Sequence, residues 1–325
     1  MIEENLAPTF DTEHPTCPFE KCDMASEHLV IASGWDFEYR STLAEIELMQ
    51  CQKCEVVFPR QLPVVEALAT IYPTNYYAFD ETKFENPIVR RFRAWAGQRK
   101  LRTYTKNMGG GPSNVLDIGC GDGRMLEILR RASSPDWSFS GLDWSEDAVQ
   151  RCREKGFDAR SCNIEELDQP DWEGKFDLIL MSQVIEHVRY PRDVLARILS
   201  ILKPGGVISI ETPDINSWDF KVFHNRYWAG YHIPRHFFIF DKSNFSELAI
   251  SVGYEVIATK SIINPVAWIH SVKSYCADHR RLERFTDTFN AQNPIWLSIA
   301  TPVDLVQTVF FHKSSNMQIL LRRPN

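Results

Sequence analysis

Residues 115–126, VLDIGCGDGRML, set Gly119, Gly121 and Gly123 directly after an apolar run and place Asp117 and Asp122 on either side of the first two glycines. A glycine turn between a strand and a helix lets a ligand approach bare main chain, and the helix N-terminus favours an anion such as a phosphate. The two aspartates argue otherwise. In a dinucleotide-binding turn the third glycine would fall where this chain has Arg124, and a carboxylate at Asp122 would repel a pyrophosphate in a partly dehydrated site. An ammonium or sulfonium group suits the pair of carboxylates better. Asp143 follows at the end of the next predicted strand, about 20 residues on, where this architecture sets an acid on ribose hydroxyls. Trp144 beside it offers a stacking face for an adenine. A ligand with a cationic amino-acid end, a ribose diol and an adenine is S-adenosylmethionine.

Those residues need a scaffold that holds strand ends side by side. From Val115 the pattern alternates between strands and helices, the signature of a parallel sheet covered on both faces. The strands read as VLDIG, FSGLD (139–143), FDLILMSQ (176–183) and GVISIETP (206–213), with a weaker one at DARSCN (158–163). Ser145 as N-cap and Lys155 with Gly156 at the other end punctuate one helix, and Asp241 and Gly253 punctuate another, which leads into the strand YEVIATK. A last strand, MQILLRR (317–323), follows only after a long segment containing Trp268, Trp296 and several prolines. An insertion of that length in a compact domain is expected to be a functional cap.

The fold class is therefore α/β: a Rossmann-like, mostly parallel sheet of seven strands with helices on both faces. A small zinc-ribbon-like module precedes it and a cap is inserted near its end. The expected boundaries are 1–60 for the cysteine module, 61–112 for a helical linker and lid, 113–262 for the central domain, 263–315 for the cap and 316–325 for the last strand. QLPVVEALATIY and IVRRFRAWAGQRKLRTYTK are both expected to be helical, the second with Ile88, Phe92, Trp95 and Ala96 on one face.

With 325 residues, 44% of them hydrophobic, the chain can bury a full core. Its formal charge of −7 argues against a surface built for a nucleic-acid backbone. MIEENLAPTF lacks a signal-type apolar core, so a cytoplasmic location is expected. In IWLSIATPVDLVQTVFF (295–311), Pro302, Asp304 and Gln307 argue against a membrane span. Eight cysteines in a cytoplasmic chain point to metal ligation or burial rather than disulfides. Cys17, Cys22, Cys51 and Cys54 form a C-x4-C and a C-x2-C pair, spacing that brings four thiolates within reach of a structural zinc ion; the alternative is ordinary buried thiols. Cys120, Cys152, Cys162 and Cys276 are read as packing residues.

VLDIGCGDG, GLDWS, FDLILMSQVIEHV and LKPGGVISIETP together resemble the successive signature segments of class I S-adenosylmethionine-dependent methyltransferases. The resemblance covers about residues 113–260 and is completed by the last strand. It implies a sheet whose final strand is antiparallel, with the cofactor across the carboxyl ends of the strands. It assigns the methionine part to Asp117, Gly119 and Gly121, with Cys120 between them, and the ribose to Asp143. Asn163 and Ile164 fall near the adenine, and Gln183 to His187 line the floor beneath the reactive methyl. YPTNYYAFD (72–80) resembles the tyrosine segment that closes over the cofactor, so Tyr76 and Tyr77 are expected near the methionine end or the acceptor; a purely structural aromatic cluster is the alternative.

Methyl transfer from a sulfonium is an in-line displacement in which the protein aligns the reactants, excludes water and, for a hydroxyl, supplies a base. RYWAGYHIPRHFFIFD (226–241) is the expected acceptor wall, and His187, Tyr231, His232 and His236 are the candidate catalytic residues. Its YW...PRH arrangement resembles a subgroup acting on sugars, lipids and other small metabolites. Sugar C-methyltransferases, which also begin with a four-cysteine module, carry a Glu-His pair where this chain has Arg235–His236, so oxygen is the preferred target atom. Arg235 either binds an anionic group of the acceptor or pairs with a neighbouring acid. Pro234 rules out a helical zinc pair of His232 and His236. Alternatively, Glu186 and His187 only shape the cofactor pocket. The basic run from Arg90 through Arg91, Arg93, Arg99, Lys100, Arg102 and Lys106 reads as a solvated face, a dock for an anionic small-molecule acceptor, or a contact with a membrane surface. An RNA methyltransferase and a non-catalytic cofactor-binding adaptor stand as rivals, and no oligomeric state follows.

Overall fold

The computed structural model describes residues 28–72, 97–106, 114–279, 281–291 and 293–325, together with 11–15, 17–19 and 22. Tyr76, Tyr77 and the basic residues from Arg90 to Arg93 lie outside the described residues. In the amino-terminal module, β2 (His28–Gly34), β3 (Ile46–Cys51) and β4 (Val57–Pro59) form an antiparallel sheet, and β1 (Thr12–Glu13) pairs with β5 (Leu62–Pro63). QLPVVEALATIY thus begins as a strand rather than a helix. Only Leu68–Ile71 (α1) is α-helical, after a 3-10 turn at Val65–Ala67. Pro63 and the β-branched Val64 and Val65 explain why the helix starts late, and the module reaches past the expected boundary at residue 60.

After α2 (97–106) comes the central sheet. Its strands are β6 (Asn114–Ile118), β7 (Ser138–Asp143), β8 (Asp158–Ser161), β9 (Phe176–Ser182), β10 (Leu202–Pro213), β11 (Glu255–Ile262) and β12 (Asn316–Arg322). Their spatial order is β11-β12-β10-β9-β6-β7-β8, with β12 antiparallel to both neighbours. The chain leaves β6 toward β7 and β8, then crosses to β9 on its other side. That reversal leaves a crevice at the carboxyl ends of the strands, where open α/β sheets bind ligands. Val115, Leu116, Leu178, Ile179, Val207 and Ile208 are buried on the central strands, as expected for strands covered on both faces.

The helices α3 (Arg124–Ala132), α4 (Glu146–Glu154), α5 (Pro191–Ile201), α6 (Trp218–Phe223) and α7 (Lys242–Val252) cover the sheet. The Ser145 side chain caps α4, Asp241 and Asn244 form a capping box on α7, and Gly253 ends α7 with φ 112°. The insertion between β11 and β12 is helical, with α8 (Pro265–Asp278), a 3-10 turn at Glu283–Thr288 and α9 (Pro294–Phe311). It is tied to the loop after α6 by Arg226 and Tyr227, which both donate to Asp278, and by Ala229 N–H on Ser271 Oγ.

Asp304 and Gln307 are buried and bonded to each other, to Asn264 and to Trp218, whereas Ile295, Ile299, Val306 and Phe310 point outward. By length and composition α9 is apolar enough to cross a membrane.

Candidate functional site

The glycine turn works by close backbone approach. Gly119 has φ 76°, and a Cβ there would lie 2.4 Å from Val184 Cγ2, so no other residue fits. Gly119 and Cys120 both donate backbone N–H groups to Leu142 O, which draws the end of β6 against the end of β7. Asp143 then bridges the two segments. Its Oδ2 accepts from Gly121 N at 2.9 Å and its Oδ1 from Ser145 N at 2.9 Å. Each oxygen keeps a further lone pair, which leaves a diol-shaped acceptor at the crevice mouth.

Burial, then the charge of Asp143, pushes the Asp117 carboxyl up to about 7, with Lys100 opposing. Asp117 lies on the wall of a smaller cavity of about 120 Å³ that shares Gly119 with the main crevice. Lys100, expected on a solvated face, enters this cavity and pairs with Glu211 at 2.8 Å. Asp122 is not a ligand group: it forms an ion pair with Lys155 at 2.7 Å and accepts from Arg124 N. The Cys120 thiol is buried against Cys152 rather than turned to the crevice.

Gly119, Gly121, Asp143, Trp144, Asn163, Ile164 and Gln183 open on one cavity of about 1890 Å³. Pockets for one drug-sized ligand run to roughly 300–1,000 Å³, so this one has the volume for two molecules side by side. Trp144 is half-exposed, and its ring centroid lies 5.7 Å from that of Tyr72. Asn163 commits its Oδ1 to capping the 3-10 turn at Ile164–Glu166 through Glu165 N, which leaves its amide N–H groups for a ligand.

The far half of the cavity carries a cluster of histidines. The His187 and His236 rings are 4.6 Å apart, those of His232 and His236 4.9 Å, and those of His187 and His232 6.3 Å. His232 has φ 38° and is followed by the cis peptide Ile233–Pro234, so the expected absence of a helical histidine pair holds. The fold nonetheless brings the two rings together. Burial, reinforced by the neighbouring histidine, lowers His187 to about 3, and burial likewise holds His236 well below the ordinary range. Both are therefore neutral at pH 7.

Glu38 faces this cluster from the amino-terminal module. Its Oε2 is 3.0 Å from His232 Nδ1 and its Oε1 3.8 Å from His270 Nδ1. Burial opposes ionisation of Glu38, but His232 outweighs it and holds the carboxyl at about 2. Tyr72, the described end of the tyrosine segment, reaches His187 Nδ1 at 3.0 Å. Sequence reasoning missed Glu38 and His270 because nothing near either residue marks it; only the packing of three segments creates their role.

Two acceptor-wall candidates are otherwise engaged. Tyr231 lines the cavity but is buried, and its hydroxyl is committed as a donor to His224 O at 2.5 Å. Arg235 is fully buried: Nη2 donates to Asp36 Oδ2 at 2.7 Å and Nε to Ile71 O at 2.7 Å. Of its two expected roles, pairing with an acid is the one observed.

The amino-terminal cysteines also converge. Cys17, Cys22 and Cys54 bring their sulfurs within 4.8 Å of one another, and the Cys51 thiol touches both Cys22 and Cys54. Cys17 Sγ and Cys54 Sγ are 3.7 Å apart; two sulfurs on a tetrahedral zinc ion at ~2.3 Å lie about 3.8 Å apart. Phe19 N–H points at Cys17 Sγ, and Glu55 turns left-handed just after the second pair. Burial and the neighbouring thiols raise Cys22 to about 12, the expected result when four sulfurs crowd together without a cation.

A family model described as a methyltransferase domain matches residues 89–259. An uncharacterised 37.1 kDa protein from a Streptomyces fradiae transposon is 32% identical over 33% of this chain and 31% of its own length. A ubiquinone biosynthesis O-methyltransferase from Methylococcus capsulatus is 35% identical over 30% of this chain and 42% of its own, and one from Bordetella avium is 27% identical over 49% and 69%. The first two matches thus span less than half of those relatives. The crystal structure of an S-adenosylmethionine-dependent methyltransferase from Mesorhizobium loti superposes with a TM-score of 0.47 at 14% identity, covering 71% of this chain and 98% of that one.

Proposed function

The chain belongs to the methyltransferase-domain family, and from that premise we propose that it moves a methyl group from S-adenosylmethionine to a hydroxyl of a small or medium-sized metabolite. One observation carries this reading: the strand-end acid Asp143, bonded to the Gly121 turn, opens on the same cavity as the histidine cluster. Asp143 would take the ribose hydroxyls, Trp144 the adenine, and the Gly119–Gly121 turn with Asp117 the methionine end. Gln183 and Ile164 line the passage between.

His232 is the base in this scheme. With Nδ1 held by Glu38, it takes the acceptor proton on Nε2 while the acceptor oxygen bonds to the methyl carbon and the carbon–sulfur bond breaks. S-adenosylhomocysteine leaves, and the proton passes from His232 to solvent. His187 and His236 are neutral walls that help to exclude water. Calorimetry with S-adenosylhomocysteine, followed by a search for S-adenosylhomocysteine release over a panel of phenols, sugars and lipid precursors, tests the proposal. Tight uptake of NAD with indifference to the sulfonium compound would end it.

Asp117 makes the cofactor affinity pH-dependent. Its folded-state value is near 7, so below that pH the carboxyl is protonated and the cationic ammonium end must displace the proton. Affinity is expected to fall about 10-fold per pH unit below 7, and Asp117→Asn is expected to remove that slope. A wild-type slope that survives the substitution would place the ammonium elsewhere.

The four cysteines fit a structural zinc ion, which would hold the module together by binding only its folded form. One zinc per chain is expected by elemental analysis. Chelation or Cys54→Ser is expected to lower the unfolding temperature by about 10 °C or more, since such sites contribute folding free energy directly. Unchanged melting in chelator would return the cysteines to plain packing.

A further inference from the structure

Glu186 is wholly buried after β9. Its Oε2 accepts from Thr212 Oγ1 at 2.9 Å, while Oε1 has no hydrogen-bond partner among the described residues. A buried carboxylate oxygen left bare is costly and needs an explanation. Its neighbours are His187 and His236, and each of the three residues brings one ligand atom to within 4.8 Å of the others'.

Both imidazoles are oriented from behind. His187 Nδ1 lies 3.0 Å from Arg235 O, and His236 Nδ1 lies 2.8 Å from Gly230 O. A carbonyl only accepts, so the bonds to Gly230 O and Arg235 O put the proton on each Nδ1, the Tyr72 hydroxyl beside His187 Nδ1 then acting as a second acceptor, and each Nε2 keeps its lone pair. This is the arrangement of a metal-bound histidine, whose second nitrogen donates to a carbonyl that fixes the tautomer and ring plane. Thr212 does the same for the carboxylate. His187 and His236 both line the large cavity, while Glu186 is enclosed, so two of the three groups sit at the cavity wall.

We infer that Glu186, His187 and His236 form a binding site for one divalent transition-metal ion, held by a carboxylate oxygen and two imidazole nitrogens, with its remaining positions open to the cavity. Mixed nitrogen and oxygen ligands select zinc, cobalt, iron or nickel over magnesium or calcium. The site is separate from the cysteine cluster in both place and ligand chemistry. It does not depend on the methyl-transfer reading, because cobalt binding is read with neither cofactor nor acceptor present.

The test is a Co2+ titration of the chelator-stripped full-length chain, followed by visible absorption. Cobalt on thiolates shows a sulfur-to-metal charge-transfer band that a nitrogen and oxygen site lacks, so the two sites are read separately. The expected result is one Co2+ per chain outside the thiolate set. Its affinity should fall at least ~10-fold in Glu186→Gln and in His236→Gln, and about 10-fold in Thr212→Val, with the thiolate band intact. His270→Gln, in the same cavity but outside the triad, should bind as wild type does. In the unaltered protein, Co2+ should broaden the ring C–H resonances of His187 and His236, a reading that needs no variant to fold. No cobalt outside the thiolate set, or binding that survives both substitutions, overturns the inference.

Discussion

Arg235→Met is expected to lower stability by about 3–5 kcal/mol, the cost of leaving a buried charge without its partner. Asp36 is fully buried and takes Arg235 on both carboxylate oxygens, while Arg235 is itself wholly enclosed. Burial opposes ionisation of Asp36, but the hydrogen bonds and charge of Arg235, with help from Ser41 and Tyr39 N–H, hold its carboxyl below the ordinary 3.8. A depressed acid contributes stability that is present above its unfolded value and is lost as pH falls through its folded one. The deficit of the variant should therefore shrink in acid, where Asp36 is protonated in both proteins, and grow as pH rises until Asp36 is ionised in both. Thermal unfolding at neutral pH should show a fall of about 10 °C, with Arg235→Lys in between, since an ammonium replaces the fork but not its two-point geometry. A variant that melts within a degree or two of wild type would mean that the pair contributes nothing net. Because Asp36 belongs to the amino-terminal module and Arg235 to the loop before α7, the same variant should become more open to proteolysis between the two units.

The largest kinetic effect is expected at His232. Removing a positioned general base costs about 100- to 10,000-fold in rate, so His232→Gln should lower kcat by that order while cofactor affinity, held by Asp143 and the glycine turn, stays near wild type. Glu38→Gln should give a smaller loss of the same kind, because Glu38 orients His232 rather than touching the acceptor. Acceptors with more acidic hydroxyls need less help from a base, so the deficit should shrink across a series of increasingly acidic phenols. That dependence separates base catalysis from mere packing, which would reduce all acceptors alike. A flat deficit across the series would remove His232 from the chemistry.

Much of the strand-end half of the cavity was legible in the chain because its determinants are local. Gly119 must be glycine for its own φ and for Val184, and Asp143 ends a strand whose length its own residues set. Ser145 and Asp241 cap helices through bonds to residues at most three positions away. Sheet order followed from the alternation of strands with helices, which leaves few ways to cover both faces.

The histidine half of the cavity was not legible in this way. Glu38, Tyr72, His187, His232, His236 and His270 come from five separated parts of the chain and meet only because the amino-terminal module and the cap pack against one rim of the sheet. The partners of Asp122, Lys100 and Tyr231 were not legible for the same reason. Each side chain suits a ligand, solvent or a surface, and each is committed instead to a group farther along the chain: Lys155, Glu211 and the His224 carbonyl.

By itself the sequence determined the parallel sheet, the glycine turn and the acid that follows it, because those depend on backbone conformation and on residues next to one another. Tertiary structure alone decided which histidines and carboxylates share a cavity and which charges are already paired. Such pairings depend on long-range packing, and periodicity and spacing carry no record of it.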